Sequence, residues 1–255
     1  MEKEQLEDFL NSLKEHYSPE ELVSRLNLES FVNSKSVLSK PAILRAMKNK
    51  ELVIDPFNMQ NLANTSYDVT LGKHFYREVP NAGILNPYDE ASVRKIWQKH
   101  EAIPAREAQK GMNSGEWKNI GAEEKVILIK PGEMILGHTN EYIGGKESIT
   151  TMMKARSSLG RNFIAVCKCA GWGDASYFNR WTMEITNHSQ SHSIPLVVGR
   201  RIAQIVFLGV EKVDARDNYF KSGKYQNNAD LADLKKNWTP DAMIPKMWKD
   251  WEVRT

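Results

Sequence analysis

The sequence has little cysteine, no long apolar run and almost no excess of charge of either sign. Its two cysteines among 255 residues, Cys167 and Cys169, stand without clustered histidines, so neither a zinc site nor a disulfide is expected. No segment approaches the roughly 20 apolar residues of a membrane span, and the polar residues 1–14 lack the apolar core of a signal peptide. These absences predict a cytoplasmic protein without a membrane partner.

The charges nearly balance, because 35 Lys and Arg stand against 32 Asp and Glu and give a formal net charge of +3. Such a balance gives no reason to expect nucleic acid as a partner, whereas a local basic pocket for a small polyanion is compatible with it. The apolar share of 41% is that of an ordinary globular protein, and 255 residues suffice for one substantial core.

The sequence pattern changes along the chain and divides it into three parts. Residues 1–38 are charged and carry apolar residues at helical spacing, which predicts a helical N-terminal extension. Residues 39–228 form the principal domain, and a polar insertion at about 77–122 interrupts it with one helix candidate, Ala91–Lys99. Residues 229–255 return to helical spacing, which predicts a helical C-terminal tail.

The principal domain has the pattern of a mainly β fold. Short β-like runs are separated by Gly, Pro, Asn and Asp, which is typical of an antiparallel barrel or jelly-roll sandwich and not of a parallel sheet with crossover helices. Cys167 and Cys169 lie two apart in one such run, so on a strand both would point to the same face. The runs are Val53–Ile54, Tyr67–Leu71, Val126–Ile129, Met134–His138, Ile164–Cys169, Trp181–Thr186, Ile194–Val198 and Ile202–Leu208.

Two segments carry residues suited to nucleotide chemistry. The first, Ala-Arg-Ser-Ser-Leu-Gly-Arg at 155–161, places two arginines around two hydroxyls, all of which donate to phosphate oxygens. An ordinary surface loop explains this segment equally well. In the second, Glu184 lies inside an apolar run, where a carboxylate is costly to bury without a partner or a task. Two simpler interpretations stay open: Glu184 faces solvent from a strand, and Asp174 is an ordinary turn residue.

Several short motifs, taken together and in order, resemble the dCTP deaminase branch of the trimeric dUTPase superfamily. The resemblance runs from about residue 39 to residue 228 and leaves out the N-terminal extension, the insertion and the tail. Its main motifs are Ala-Arg-Ser-Ser-Leu-Gly-Arg at 155–161, Ala-Gly-Trp-Gly-Asp-Ala-Ser-Tyr at 170–177, Met-Glu-Ile-Thr-Asn at 183–187, Gly-Arg-Arg-Ile-Ala-Gln-Ile at 199–205 and Gly-Lys-Tyr-Gln at 223–226. Segments 43–46, 54–57 and 66–72 resemble the opening part of the family.

The resemblance implies a dUTPase-like distorted jelly-roll or β-barrel that forms a homotrimer, with active sites shared between adjacent subunits. It implies that Glu184 is the general base and acid for the attack of water on C4 of the cytosine of dCTP. The backbone carbonyl of Ala170 and the hydroxyl of Ser157 would position that water, and Arg161 would complete the polar cluster around Glu184.

The resemblance also implies which residues hold the nucleotide. Mg²⁺ is expected to enter with the triphosphate and not through protein ligands. Zinc is not expected, because the sequence lacks the His-x-Glu and Cys-x-x-Cys motifs of zinc deaminases. Four residues match triphosphate-binding positions, and four more belong to the nucleotide-binding motifs: Arg156, Ser158, Tyr219 and Lys224, and then Trp172, Tyr177, Gln204 and Asn228.

Asp174 raises the prospect of a second activity. The Ala-Gly-Trp-x-Asp-Ala form resembles bifunctional family members, which deaminate dCTP and cleave the product to dUMP and pyrophosphate. Asp174 would then orient the water that attacks the α-phosphate. We favour two activities, with a deaminase that releases dUTP as the alternative. A dUTPase without deaminase activity and a catalytically inactive nucleotide-binding relative are further alternatives, against which Glu184 and the intact motifs argue.

Some positions depart from the family pattern. Gly173 stands where a branched apolar residue is usual, and Asn228 replaces a glutamine near the phosphates. Cys167 and Cys169 take pocket-side positions that are often His and Thr. Because these side chains are smaller, they predict space beside the base, and 5-methyl-dCTP is a hypothetical substrate on that ground.

Overall fold

The computed structural model describes residues 36–112 and 114–253, together with Ser18. The chain divides into two units at residue 36, and the second unit, Val37–Thr255, is the one described below. Apart from Ser18 and residues 36–38, the predicted helical extension at 1–38 lies outside the described residues. Within the described part of the chain, no helix is both long and apolar enough to cross a membrane.

The described residues are mainly β. The strands are β1 (Leu52–Asp55), β2 (Tyr67–Thr70), β3 (His74–Glu78), β4 (Trp97–Glu101), β5 (Ile103–Pro104), β6 (Lys125–Ile129), β7 (Met134–Gly145), β8 (Ile149–Ala155), β9 (Ile164–Ala165), β10 (Trp172–Gly173), β11 (Phe178–Asn187), β12 (Ile194–Val197) and β13 (Arg201–Gly209). The α-helices are α1 (Lys40–Lys48), α2 (Glu90–Ile96), α3 (Ala105–Ala108), α4 (Ser157–Gly160), α5 (Tyr219–Ser222) and α6 (Leu231–Asn237). Short 3₁₀ turns lie at Met59–Asn61, Ser114–Trp117, Pro240–Met243, Met247–Lys249 and Trp251–Val253.

The strands form three antiparallel sheets. The largest has the order β4-β3-β7-β11-β9, and β1 also pairs with β7. The second has the order β10-β8-β13-β2 and the third β12-β6-β5. The predicted mainly β, dUTPase-like class is therefore confirmed, although the described strands form three sheets and not one closed barrel.

One apolar core joins the three sheets. Its members include Tyr67 of β2, Ile143 of β7, Met183 of β11 and Phe207 of β13, each of which is fully buried. On β11 the core side chains alternate with partly exposed ones, so Thr182 and Glu184 point to the face opposite Met183. The alternation places Glu184 on the side of the sheet that the C-terminal tail covers.

The predicted insertion contributes edge strands to two sheets. From this segment, β4 pairs with β3 and β5 pairs with β6. Asp89 caps α2 by accepting hydrogen bonds from the backbone N–H groups of Ala91 and Ser92. The prediction of a helix over Ala91–Lys99 is wrong at its C-terminal end, because β4 begins at Trp97 and its pairing with β3 replaces the last turn.

The run Ile164–Cys169 is a strand only at its start. Strand β9 ends at Ala165, and both Cys167 and Lys168 have positive φ angles, of 57° and 41°. The expectation that both cysteines share one strand face is therefore wrong. Cys167 is buried, with its Sγ 3.7 Å from the Met153 carbonyl oxygen, whereas Cys169 is exposed.

Gly173 has no space for a side chain. A Cβ atom placed there would lie 2.5 Å from the Trp181 indole and from Thr151 Oγ1. The buried Trp181 ring thus occupies the volume that a branched residue at position 173 would need. This packing fixes β10 next to β11 and explains why the sequence departs from the family pattern at this position.

The C-terminal tail, residues 229–253, packs on the largest sheet. Trp238 lies 4.7 Å from the ring of the buried His138, and the Arg180 guanidinium lies 4.6 Å from the Trp238 ring. Burial lowers the pKa of His138 to about 4, so this histidine is neutral beside the arginine. Further along, Met243 and Ile244 pack in an apolar cluster with residues of β3 and β7.

Candidate active site

A cavity of about 330 Å³ lies between the β10–β11 loop (residues 174–177) with its flanking strands, α5 and the tail. Its size suits a small organic ligand. Six residues singled out in the sequence line it: Ala170, Trp172, Asp174, Tyr177, Glu184 and Tyr219. The structure therefore brings one half of the predicted site together within a single chain.

Glu184 is the most unusual group in this cavity. Burial raises the pKa of its carboxyl, whereas its backbone hydrogen bond and the charge of Lys168 lower the pKa in part. The Oε2 atom is buried and has no hydrogen-bond partner among the described residues. A carboxylate in this state is costly unless a ligand supplies a donor. The solvent-facing interpretation of Glu184 is therefore wrong, and the group suits a role in proton transfer.

Asp174 lies in the β10–β11 loop, near the mouth of the same cavity. The Trp172 indole donates to Asp174 Oδ1 over 3.2 Å, and the Tyr177 N–H donates to the Asp174 carbonyl over 3.0 Å. Asp174 is exposed and the Trp172 side chain is 58% exposed. The β10–β11 loop thus holds a solvent-accessible carboxylate at the entrance, separate from the half-buried carboxylate of Glu184.

Aromatic side chains form one wall of the cavity. The Tyr177 ring meets Trp181 edge-on at 5.5 Å and Tyr219 at 5.0 Å. Burial raises the pKa of Tyr177, and burial raises the pKa of Tyr219 to about 12 although a backbone hydrogen bond with Tyr225 opposes the shift. These phenols are neutral near pH 7, so the wall offers stacking surface and hydroxyl donors without charge.

The segment after α5 is bound by hydrogen bonds to the β10–β11 loop and to the start of β11. Gln226 is buried, accepts from the Phe178 N–H over 2.8 Å and donates to the Ser176 carbonyl over 3.2 Å. Asn179 donates to the Tyr225 carbonyl over 3.0 Å. These bonds bring Tyr225 into the cavity wall, a residue that we did not single out from the sequence although its motif was visible there.

Lys224 and Asn228 lie outside this cavity and contact the tail. Both line a neighbouring cavity of about 660 Å³. Lys224 forms an ion pair with Asp250, and Asn228 donates to Asp233 over 3.0 Å. Two side chains that the resemblance assigns to nucleotide binding are thus paired with carboxylates of the tail in this structure.

The Arg-Ser-Ser motif lies elsewhere in the chain. Arg156 lines a cavity of about 530 Å³ with Arg201, and both approach Asp68, at 3.3 and 3.1 Å. Ser157, Ser158 and Arg161 are exposed at α4. None of these residues lines the Glu184 cavity in this single chain. Gln204, on β13, donates to Ser66 Oγ over 3.3 Å.

The two cysteines do not line the Glu184 cavity. They lie instead along a separate cavity of about 490 Å³ with Lys168. The structure therefore gives no support from these side chains for extra space beside a base. Within the described residues, no group of three or more His, Cys, Asp or Glu side chains is placed to hold a metal ion.

Comparison with known proteins adds the relatives of the chain. A family model described as dCTP deaminase-like matches residues 37–210. The chain is 25% identical to a dCTP deaminase, dUMP-forming, of Methanosphaerula palustris over 184 residues, which are 72% of this chain and 87% of that protein. It is 30% identical to the protein of the same name from Methanocaldococcus jannaschii over 174 residues, 67% of this chain and 81% of that one.

Among solved structures, the chain is similar to 2'-deoxycytidine 5'-triphosphate deaminase from Agrobacterium tumefaciens. The TM-score is 0.49 at 15% identity, and the match covers 69% of this chain and 50% of that chain. The family match ends before α5 and the tail, so the residues from 211 onward that enter the Glu184 cavity lie outside it.

Proposed function

The chain belongs to the dCTP deaminase-like family, and we propose that it converts dCTP to dUMP. Two molecules of water are consumed per dCTP, and ammonia and pyrophosphate are released. The observation that carries the proposal is the half-buried carboxylate of Glu184, whose buried Oε2 lacks a partner among the described residues inside an aromatic-lined cavity. The relatives named dUMP-forming support the choice of substrate and product.

Glu184 serves deamination as base and then as acid. It takes a proton from the water that attacks C4 of cytosine and passes this proton to N3. It then takes the second proton from the hydroxyl group on C4 and gives it to the amine, which leaves as ammonia while the C4 carbonyl forms. One carboxyl alternates between these states best when its pKa lies near the working pH, and burial shifts the pKa of Glu184 in that direction. The Ala170 backbone, in the same cavity wall, is suited to hold the attacking water.

Asp174 serves the second step. Its carboxylate orients a water toward the α-phosphate, and its exposed place at the cavity mouth suits a phosphate that projects out of the base pocket. Mg²⁺ bound to the triphosphate would neutralise part of its charge. Tyr219 and Lys224 of one subunit, with Arg156 and Ser158 of a neighbouring subunit, would hold the phosphate chain, and Lys224 must then leave Asp250.

The products of dCTP turnover test the proposal and separate it from its alternatives. After incubation of the full chain with dCTP and Mg²⁺, we expect dUMP as the nucleotide product. Accumulation of dUTP would indicate deamination alone. Unchanged dCTP with hydrolysis of added dUTP would indicate a dUTPase, and no turnover of either nucleotide would indicate a binding protein.

The active unit in this proposal is a homotrimer whose sites are shared between neighbouring subunits. Ser157 on α4 and Arg161 directly after this helix are exposed, away from the Glu184 cavity of their own chain. A neighbouring copy would bring its α4 to this cavity, place Ser157 beside the attacking water, and set Arg161 near Glu184. A contact that joins two different surfaces of the same chain is heterologous, and it closes into a ring such as a trimer when the rotation between copies is right.

Mixing two inactive variants tests the shared site. Glu184→Gln and Arg161→Ala homotrimers are each expected to lose deamination. Co-expressed at equal amounts, they should regain about a quarter of the wild-type rate, because about one site in four then receives both intact residues. Each variant co-expressed with itself is the control. Absence of recovery in mixed trimers, verified by tagging each subunit, would show that Glu184 and Arg161 do not meet across a subunit contact.

A further inference from the structure

The C-terminal tail contributes two side chains to the Glu184 cavity. Met243 and Pro245 line it, and both lie outside residues 37–210, where the family match is found. Met243 ends the 3₁₀ turn Pro240–Met243 and is 3% exposed. Because Met243 is almost fully buried at the cavity wall, its side chain determines the shape of the cavity on that side.

Met243 lies over a row of side chains that ends at Glu184. Across the largest sheet, Tyr76 of β3 pairs with Leu136 of β7, and Leu136 pairs with Glu184 of β11. Directly paired residues of neighbouring strands share one face of a sheet. Tyr76 and Leu136 are both 4% exposed and belong to the same apolar cluster as Met243. Met243 thus covers the apolar neighbour of the reactive carboxylate.

Polar contacts hold the tail in this place. The Tyr76 hydroxyl donates to Asp241 Oδ1 over 2.8 Å, and Arg94 donates to Asp241 Oδ2 over 3.2 Å. The Lys246 N–H donates to the Tyr225 hydroxyl over 3.2 Å. Met243 lies between these two attachments, so the turn that carries it is fixed at both ends.

Other titratable groups near Glu184 do not account for its state. The Lys168 charge lowers the pKa of Glu184, and the nearby Cys167 thiol has its own pKa raised by burial to about 11. The Asp174 carboxyl and the Tyr177, Tyr219 and Tyr225 hydroxyls line the same cavity. Burial is the largest cause of the raised pKa of Glu184. Within one chain, burial is therefore the main cause of the shift, and Arg161 of a neighbouring copy, which the proposed assembly brings near and which would lower the pKa, is common to wild type and variants.

We propose that Met243 is a positioning residue for the deamination, which closes the apolar side of the cavity and keeps bulk water, as opposed to the single attacking water, away from Glu184. The proposal rests on the role of Glu184 given under the proposed function. It assigns the C-terminal tail to the active site. Removal of this cover lets water reach the carboxylate, stabilises the charged form, and moves the titration of Glu184 to lower pH.

Three variants test Met243: Met243→Gln, Met243→Ala and the conservative Met243→Leu. In full-length protein labelled with ¹³C-glutamate, the Glu184 carboxyl signal is assigned by its loss in Glu184→Gln and followed against pH. We expect the pKa of Glu184 to fall by about half a pH unit or more in the Gln and Ala variants. The Leu variant should keep the wild-type titration. Circular dichroism checks that each variant is folded.

The pH dependence of kcat/KM gives the second readout. Because Glu184 must be deprotonated to accept a proton, the acid limb of the wild-type profile follows its pKa, and this limb should move to lower pH in Met243→Gln and Met243→Ala. An unchanged carboxyl titration in either folded variant would overturn the proposal. Failure of the proposed function would look different, since wild-type protein would then release no ammonia whatever the titration shows.

Discussion

Ammonia release from dCTP is expected to fall about a thousandfold in the Glu184→Gln variant. Glutamine keeps the shape of the side chain and can still donate a hydrogen bond, but it cannot take a proton from water. The loss should therefore appear in kcat, whereas the dissociation constant of dCTP should change only a few-fold. Ammonia production and nucleotide binding are measured separately, by a coupled assay and by calorimetry.

The matched control for the loss of one carboxylate is Glu211→Gln. Glu211 is exposed and does not line the Glu184 cavity, so this variant should deaminate at the wild-type rate. If Glu184→Gln kept the deamination rate of this control, proton transfer by Glu184 would be wrong, and the buried carboxylate would need another explanation.

The second large effect concerns the product and not the first step. Asp174→Asn should deaminate dCTP at close to the wild-type rate and accumulate dUTP, while dUMP formation falls by about two to three orders of magnitude. Asparagine still accepts the indole hydrogen bond of Trp172 at Oδ1, so the β10–β11 loop should keep its shape. It lacks the negative charge that orients and activates water at the α-phosphate. Chromatographic separation of dCTP, dUTP and dUMP over time measures both steps.

If Asp174→Asn lost both steps, the role of Asp174 would be to maintain the shape of the β10–β11 loop and not to activate water. Unchanged dUMP formation would remove its role in pyrophosphate release. The proposal requires that Asp174→Asn loses dUMP formation and keeps deamination. That result would agree with two carboxylates in two environments, a half-buried one at Glu184 and an exposed one at the cavity mouth.

Much of the fold is visible in the sequence because local patterns decide it. The alternation along Trp181–Thr186 predicts a strand, and β11 spans that run. The same alternation cannot say what covers the polar face. Glu184 faces a cavity and not solvent because the tail returns over the sheet and places Met243 next to Leu136. That contact joins residues more than 50 positions apart, so strand periodicity does not contain it.

Long-range pairing also explains the errors. The spacing of Ala91–Lys99 continues a helix, yet Trp97 starts β4 because the backbone there pairs with β3. The run Ile164–Cys169 alternates like a strand, yet it turns away at Cys167, where φ is positive. In both cases a tertiary contact or a turn overrides a local preference.

The site itself was only half accessible from residue patterns. The motifs of the 170–187 segment meet in one cavity because the short β10–β11 loop keeps them close together in space. Arg156, Ser157, Ser158 and Arg161 lie on another surface of the same chain. In the proposed homotrimer a neighbouring copy would complete the site, and such a contact leaves no trace in the spacing of one sequence.

The most direct measurement of the central claim is a crystal structure of the Glu184→Gln variant with dCTP bound. We expect the cytosine ring to lie in the cavity between Tyr177 and Leu136, with the side chain at position 184 within about 3.5 Å of N3 or of the 4-amino group. A base bound elsewhere, or a side chain at position 184 turned away from the ring, would contradict it.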